Sequence, residues 1–152
     1  MWWARVILFG CVGVLVEHVF TGVSSLLRRR WKATSTSYLW MAPIYGLTGL
    51  ALEAIGDHLP WPIYFKALLY VPVIYGAEAV SGALLAALTG VLQKFFGGSG
   101  GGTVPWDYGK SRWSPFGVVN FKYLGFWYLL ALAVEPASHH LRLMLNYLTT
   151  VK

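Results

Sequence analysis

Charge is what this sequence has least of. Asp, Glu, Lys and Arg supply 12% of its 152 residues and hydrophobic types 57%, whereas an ordinary soluble domain is about 25% charged. That scarcity excludes a conventional water-facing surface. The positive mean hydropathy of +0.55 fits helices that are apolar all round, which lipid tolerates and water does not. Cysteine is nearly missing: Cys11 alone permits no disulfide within the chain, and no Cys and His set has metal-site spacing. The opening Met1-Trp2-Trp3 lacks the basic start and Ala-x-Ala site of a cleaved leader, so the first apolar segment is expected to stay in the fold. No Gly-x-x-x-x-Gly-Lys-Ser/Thr loop or other cofactor motif occurs, and no cofactor is expected.

What is present is a series of long apolar runs. The first spans about 2–27 and closes on Arg28, Arg29 and Arg30. The second opens near Tyr38, after the Ser/Thr stretch 34–37, and stops by Gly56, where Asp57, His58, Pro60 and Pro62 break the helix. The third, 61–96, contains Pro72, a candidate kink, and at about 1.5 Å per residue is longer than a bilayer of about 30 Å. A Gly-rich polar loop covers 97–115, and a fourth helix is expected over 116–135 with Pro136 as its end. The tail 138–152 mixes Leu141, Leu143, Met144, Leu145 and Leu148 with Arg142 and Asn146, the composition of a short interfacial helix. The expected fold is therefore all-α: one membrane domain over 1–152, a bundle of four transmembrane helices with an interfacial C-terminal helix.

The net charge is +6. Arg28, Arg29, Arg30 and Lys32 lie after the first helix, and Lys94, Lys110 and Arg112 lie around the loop before the fourth. The turn between the second and third has no Lys or Arg. Basic loops stay cytoplasmic, so both termini are expected on the non-cytoplasmic side of a bacterial inner membrane. Arg5, Arg142 and Lys152 argue against that orientation. The basic run is too short, and too lacking in a second basic face, for nucleic-acid binding.

Each expected helix carries one glutamate: Glu17, Glu53, Glu78 and Glu135. An ionisable group within an apolar span costs a few kcal/mol and marks a pathway or a partner. Gly10, Gly13 and Glu17 share one helix face, as do Gly46, Gly49 and Glu53, by their i, i+3, i+7 spacing. Small residues let helices in lipid approach closely, so both carboxylates are expected to point inward. Glu17 and Glu78 lie well inside their spans and are the functional candidates, either protonated for proton exchange or ionised against a cation. Tyr45 and Tyr75 are the assisting hydroxyls. Glu53 and Glu135 lie near outer ends and read as structural partners, with Lys66 as the expected counter-charge. Lys122 is expected to snorkel or pair. His18 faces about 100 degrees from Glu17, and His139-His140 reads as interfacial.

GVLVEHVF (13–20), YLWMAPIYG (38–46), IYGAEAVSG (74–82), PWDY (105–108) and the Gly117, Tyr123, Trp127 spacing resemble the family of vertebrate transmembrane protein 229 and bacterial membrane proteins labelled CmpB-type ABC transporters. The resemblance runs from about Gly10 to Glu135. Its recurring residues fall on Glu17, Pro43, Tyr45, Gly46, Glu53, Tyr75, Glu78, Gly82, Trp106, Asp107, Tyr108, Gly117 and Trp127. Gly109 replaces a common Ser, and Lys66 a common Arg. The resemblance implies four helices and gives Trp106, Asp107 and Tyr108 weight as a loop that gates the inner mouth of the bundle, against the plainer reading of an interfacial anchor.

The leading expectation is a transport or small-ligand or ion-binding protein with Glu17, Tyr45, Tyr75 and Glu78 as its polar site. Four helices are few for a transport path, so a homo-oligomer or a partner membrane subunit is expected beside the lipid bilayer. The alternatives are an intramembrane enzyme acting on a lipid-like substrate and a structural partner subunit. No nucleophile with a matching base supports the enzyme.

Overall fold

The computed structural model describes residues 2–96, 106, 108, 109, 111–114 and 117–150. Their regular structure is entirely helical: α1 Trp2–Leu27, α2 Met41–His58, α3 Ile63–Phe96, a 3-10 turn Phe121–Tyr123, and α4 Leu124–Thr150. The chain divides into two compact units, Met1–Pro60 with Val134–Lys152, and Trp61–Ala133.

Local chemistry sets the helix ends. After α1, Arg30 N–H donates to the Ser25 carbonyl at 3.0 Å and Arg29 N–H to Leu26 at 2.8 Å, while Arg29 has φ 59°. This is a Schellman closure with arginine in the left-handed position that glycine usually fills. Ala33 is also left-handed, at φ 48°, and the following segment turns back along α1: a Cβ on Gly22 would lie 3.6 Å from the Ala33 carbonyl oxygen and 3.9 Å from the Ser35 side chain. α2 begins at Met41 and not near Tyr38, because residues 38–40 form a turn closed by Met41 N–H on the Tyr38 carbonyl at 2.9 Å. It persists to His58, past Gly56, and ends at Leu59, in extended backbone (φ −105°) as a residue before proline prefers.

In the first unit α1 and α2 pack antiparallel along their glycines. A Cβ on Gly10 would lie 2.6 Å from the Ala42 carbonyl oxygen, one on Gly49 2.6 Å from the Phe9 ring, and one on Gly46 would collide with the Val6 carbonyl. As α1 advances from Val6 to Gly10 its partner recedes from Gly46 to Ala42. The two glycine faces visible in the sequence are thus the surfaces that meet.

In the second unit α3 runs unbroken through Pro72. Its Val71 and Tyr75 form a buried cluster with Val119, flanked by Ala79, Val118, Trp127 and Tyr128. The fourth helix differs from expectation at both ends. It starts at Leu124, not 116, because Gly117 takes φ 73° and Asn120 is extended (φ −131°), its side chain capping the 3-10 turn by accepting from Lys122 N–H at 3.1 Å. It also does not stop at Pro136: α4 continues to Thr150, so the tail is its continuation and not a separate helix. A proline inside a helix costs about 3 kcal/mol; here the continuation carries Ser138 and Arg142 to acidic partners on α2, described next.

Two helices, α1 and α3 (to Lys94), are long and apolar enough to cross a membrane, with 11% and 28% of their most apolar stretches buried. The core helix of a soluble protein would be mostly buried. Here Ile7, Leu15, Val19 and Val23 of α1 and Phe65, Leu68, Val80 and Leu84 of α3 are exposed.

Candidate functional site

Three carboxylate sites can be built from the residues. The first is saturated. Glu53, on the glycine face of α2, is 4% exposed. It accepts from Arg5 Nη1 at 3.0 Å, from Ser138 Oγ at 2.9 Å and from Arg142 Nε at 3.2 Å. Arg142 also donates from Nη1 to Asp57 at 2.7 Å, and that bond is the chief reason its guanidinium is held above its usual range. The counter-charges of Glu53 in its own unit are therefore arginines. Lys66, expected to pair with Glu53 or Glu135, is buried on α3, in the second unit, and Glu135 lies on the α4 portion of the first. A shallow depression too small to hold a water molecule adjoins Glu53, lined by Arg5, Leu8, Phe9, Leu141 and Arg142. It offers no free carboxylate oxygen, since both oxygens of Glu53 are engaged.

Sequence reasoning missed this cluster, although a signal existed. Arg5 is the one basic residue inside the first apolar run, and such a cation requires an acidic partner on a facing helix.

The second site joins Glu17 to Tyr45 and adds Ser37. Ser37 Oγ donates to Glu17 Oε2 at 2.6 Å, and the Tyr45 hydroxyl is a further hydrogen-bond partner. Tyr45 packs directly against Gly13, where a Cβ would lie 2.5 Å from its ring. His18 turns to its own helix, with Nδ1 2.8 Å from the Val14 carbonyl. Ser37 belongs to the non-helical segment before α2, most of which is exposed, so Glu17 has polar, irregular backbone as a neighbour.

The third site is on α3. Val71, Tyr75, Glu78 and Gly82 share a helix face by their spacing, and residues 106 and 117–121 cover it. Tyr75 Oη donates to the Asn120 carbonyl at 3.4 Å and its ring meets Phe121 edge-on at 5.3 Å. A Cβ on Gly82 would lie 3.1 Å from Val118 and 3.8 Å from the Trp106 ring. Glu78 lies between these contacts. Its Oε2 is buried and has no hydrogen-bond partner among the described residues. Ser81 cannot supply one, because its hydroxyl donates back to Ala77 at 2.5 Å.

The loop residues support that cover. Trp106 Nε1–H donates to the Val118 carbonyl at 2.9 Å, Tyr108 N–H to Gly117 at 2.7 Å, and the Tyr108 and Tyr123 rings lie 6.0 Å apart. Asp107 lies outside the described residues. The four residues of the expected polar site thus form two local pairs, Glu17 with Tyr45 in the first unit and Glu78 beside Tyr75 on one face in the second. Among the described residues no group of His, Cys, Asp and Glu could hold a metal ion. No family model, curated protein or solved structure matches the chain.

Proposed function

We propose that this chain is a multi-pass membrane protein that binds a proton or a small cation at Glu78, beneath a cover formed by Trp106 and residues 117–121. The observation that carries the reading is the unpartnered, buried Glu78 Oε2. A buried acceptor without a partner costs about 1–3 kcal/mol, and more if charged. A proton on that oxygen removes the charged part of the cost, and a cation supplies the missing partner outright. Glu17 with Tyr45 and Ser37 is the second polar site. Irregular backbone is not tolerated facing lipid, so the bond from Ser37 supports a reading in which Glu17 lies toward the aqueous boundary on the side of the basic turn, shallower than its position in α1 alone suggests.

In this reading all four helices cross the bilayer, the end of α4 lies at its surface, and the basic loops face the cytoplasm of a bacterial cell. Arg5 and Arg142, which opposed that orientation, count for less once paired with Glu53 and Asp57. The family of transmembrane protein 229 and CmpB-type transporters is the proposed home of the chain. A transport role follows if the working unit is a homo-oligomer or includes another membrane subunit, because four helices enclose little of a pathway.

The test is labelling by dicyclohexylcarbodiimide, which attacks protonated carboxyls in apolar surroundings, on the chain reconstituted in phosphatidylcholine vesicles. Glu78 should be modified, and modification should slow as pH rises or when Na⁺, K⁺ or tetramethylammonium is added. Labelling of Glu78 that ignores both pH and cations, or no labelling there at all, refutes the site. Release of the chain from membranes by alkaline carbonate refutes the membrane reading separately.

A further inference from the structure

At the turn that ends α1 the chain gathers cations and leaves them uncompensated. Arg5 and Arg142 are neutralised by Glu53 and Asp57, and Arg112 lies over the Trp113 ring at 5.3 Å. Arg28, Arg29, Arg30 and Lys32 are all exposed, and none has an ion pair or side-chain hydrogen bond among the described residues. Between and beside them stand two large apolar side chains turned to solvent, Trp31 at 82% and Leu27 at 80% exposed.

The backbone adds a second observation. The turn is a closed Schellman motif, and its left-handed position favours glycine on steric grounds; the sequence puts Arg29 there, at φ 59°. Ala33 repeats the left-handed geometry, its N–H bonded to the Arg30 carbonyl at 3.0 Å. The cations are therefore presented from a hydrogen-bonded turn and not from a loose loop, and one of them is kept at a position where its side chain opposes the fold. Backbone strain of this kind points to a role for the side chain.

We infer that the Arg28–Lys32 turn is a binding site for anionic lipid headgroups. The inference rests on the membrane reading of α1. Four cations directly after an apolar helix match the phosphate layer of an anionic leaflet in sign and position. Trp31 and Leu27 suit the adjoining interface, where aromatic and aliphatic groups leave water. Nucleic acid is disfavoured because the basic surface is only one turn long. Each exposed cation that pairs with a headgroup contributes about a twofold preference for an anionic over a neutral lipid at low salt.

The test uses the full chain in lipid nanodiscs of phosphatidylcholine, with trace spin-labelled phosphatidylglycerol or spin-labelled phosphatidylcholine reporting which lipid the protein immobilises. The labelled anionic lipid should be preferred severalfold, and the preference should collapse in about 1 M salt, where the Debye length is about 3 Å. Arg28→Gln should weaken the preference about twofold with unchanged thermal stability, and Arg29→Gly should weaken it equally while raising the melting temperature. The combined Arg28→Gln, Arg29→Gln, Arg30→Gln, Lys32→Gln variant should lose it. Equal immobilisation of both lipids by the native chain, or a preference that survives the combined change, overturns the assignment. So does binding of a single-stranded oligonucleotide that competes with the labelled lipid more strongly than free glycerol phosphate does. Retention of the chain in nanodiscs after an alkaline wash reports on the membrane reading alone, so the two failures are distinguishable.

Discussion

Replacing Glu53 by glutamine keeps the shape of the side chain and removes its charge. The residue is 4% exposed and receives three donors, Arg5 at 3.0 Å, Ser138 at 2.9 Å and Arg142 at 3.2 Å. A hydrogen bond to a charged group contributes about 1.5–3 kcal/mol, and removing one member of a fully buried ion pair costs about 3–5 kcal/mol. Both arginine side chains are about a third exposed, at 35% and 37%, so water recovers part of that loss. The expected net cost is about 2–4 kcal/mol, because the new amide also points a donor at two guanidinium groups. The assay is reversible unfolding in mixed micelles, run as a cycle with Arg5→Gln and the double variant. The cycle should return a coupling energy of about 1–2 kcal/mol between the two positions. A Glu53→Gln chain within about 0.5 kcal/mol of the original, or strict additivity in the cycle, would show that the contacts are not energetically coupled and refute the reasoning.

Gly46→Ala should destabilise the α1 and α2 pair by about 1–3 kcal/mol, since the added methyl meets the Val6 backbone carbonyl as well as its side chain, and the backbone cannot move aside. Gly76→Ala, with nothing within 4 Å of the new atom, should stabilise α3 by about 0.5–1 kcal/mol in the same unfolding assay. Trp106→Phe removes the donor to the Val118 carbonyl, and carbodiimide labelling of Glu78 should accelerate several-fold; an unchanged rate would show that Trp106 is not part of the cover. Ser37→Ala strips one donor from Glu17 and should raise the labelling of Glu17 while leaving Glu78 unaffected, as quantified by peptide mass spectrometry.

The parts of the fold that could be read in the sequence are those governed by local rules. The first helix ends where the apolar run meets arginine, and the two Gly-x-x-Gly-x-x-x-Glu faces are the ones in contact, because spacing alone sets a helix face. The errors arose where distant groups decide. Val118 and Val119 look like the start of an apolar helix, yet Gly117 is left-handed, Asn120 is extended, and that stretch lies non-helical over Tyr75 and Gly82. Pro136 looks like a stop, yet the helix continues to where Ser138 and Arg142 meet Glu53. The pairing of Glu17 with Tyr45 was legible from their helices, but Ser37 reaches Glu17 only because two left-handed residues fold the chain back, and no spacing rule announces an arginine or an alanine in that conformation.

The contacts of Glu53 also set an order of events during synthesis. Arg5 and Glu53 can meet as soon as α1 and α2 exist, whereas Ser138 and Arg142 emerge from the ribosome only after the whole of α3 and the Gly-rich loop. Until then Glu53 holds one arginine, on Oε2, while Oε1 has neither of its donors, and Asp57 lacks the guanidinium it later binds. The first helix pair is thus completed by a segment made much later, and limited proteolysis of ribosome-bound truncations should show the first unit gaining resistance only once residues 138–142 have emerged.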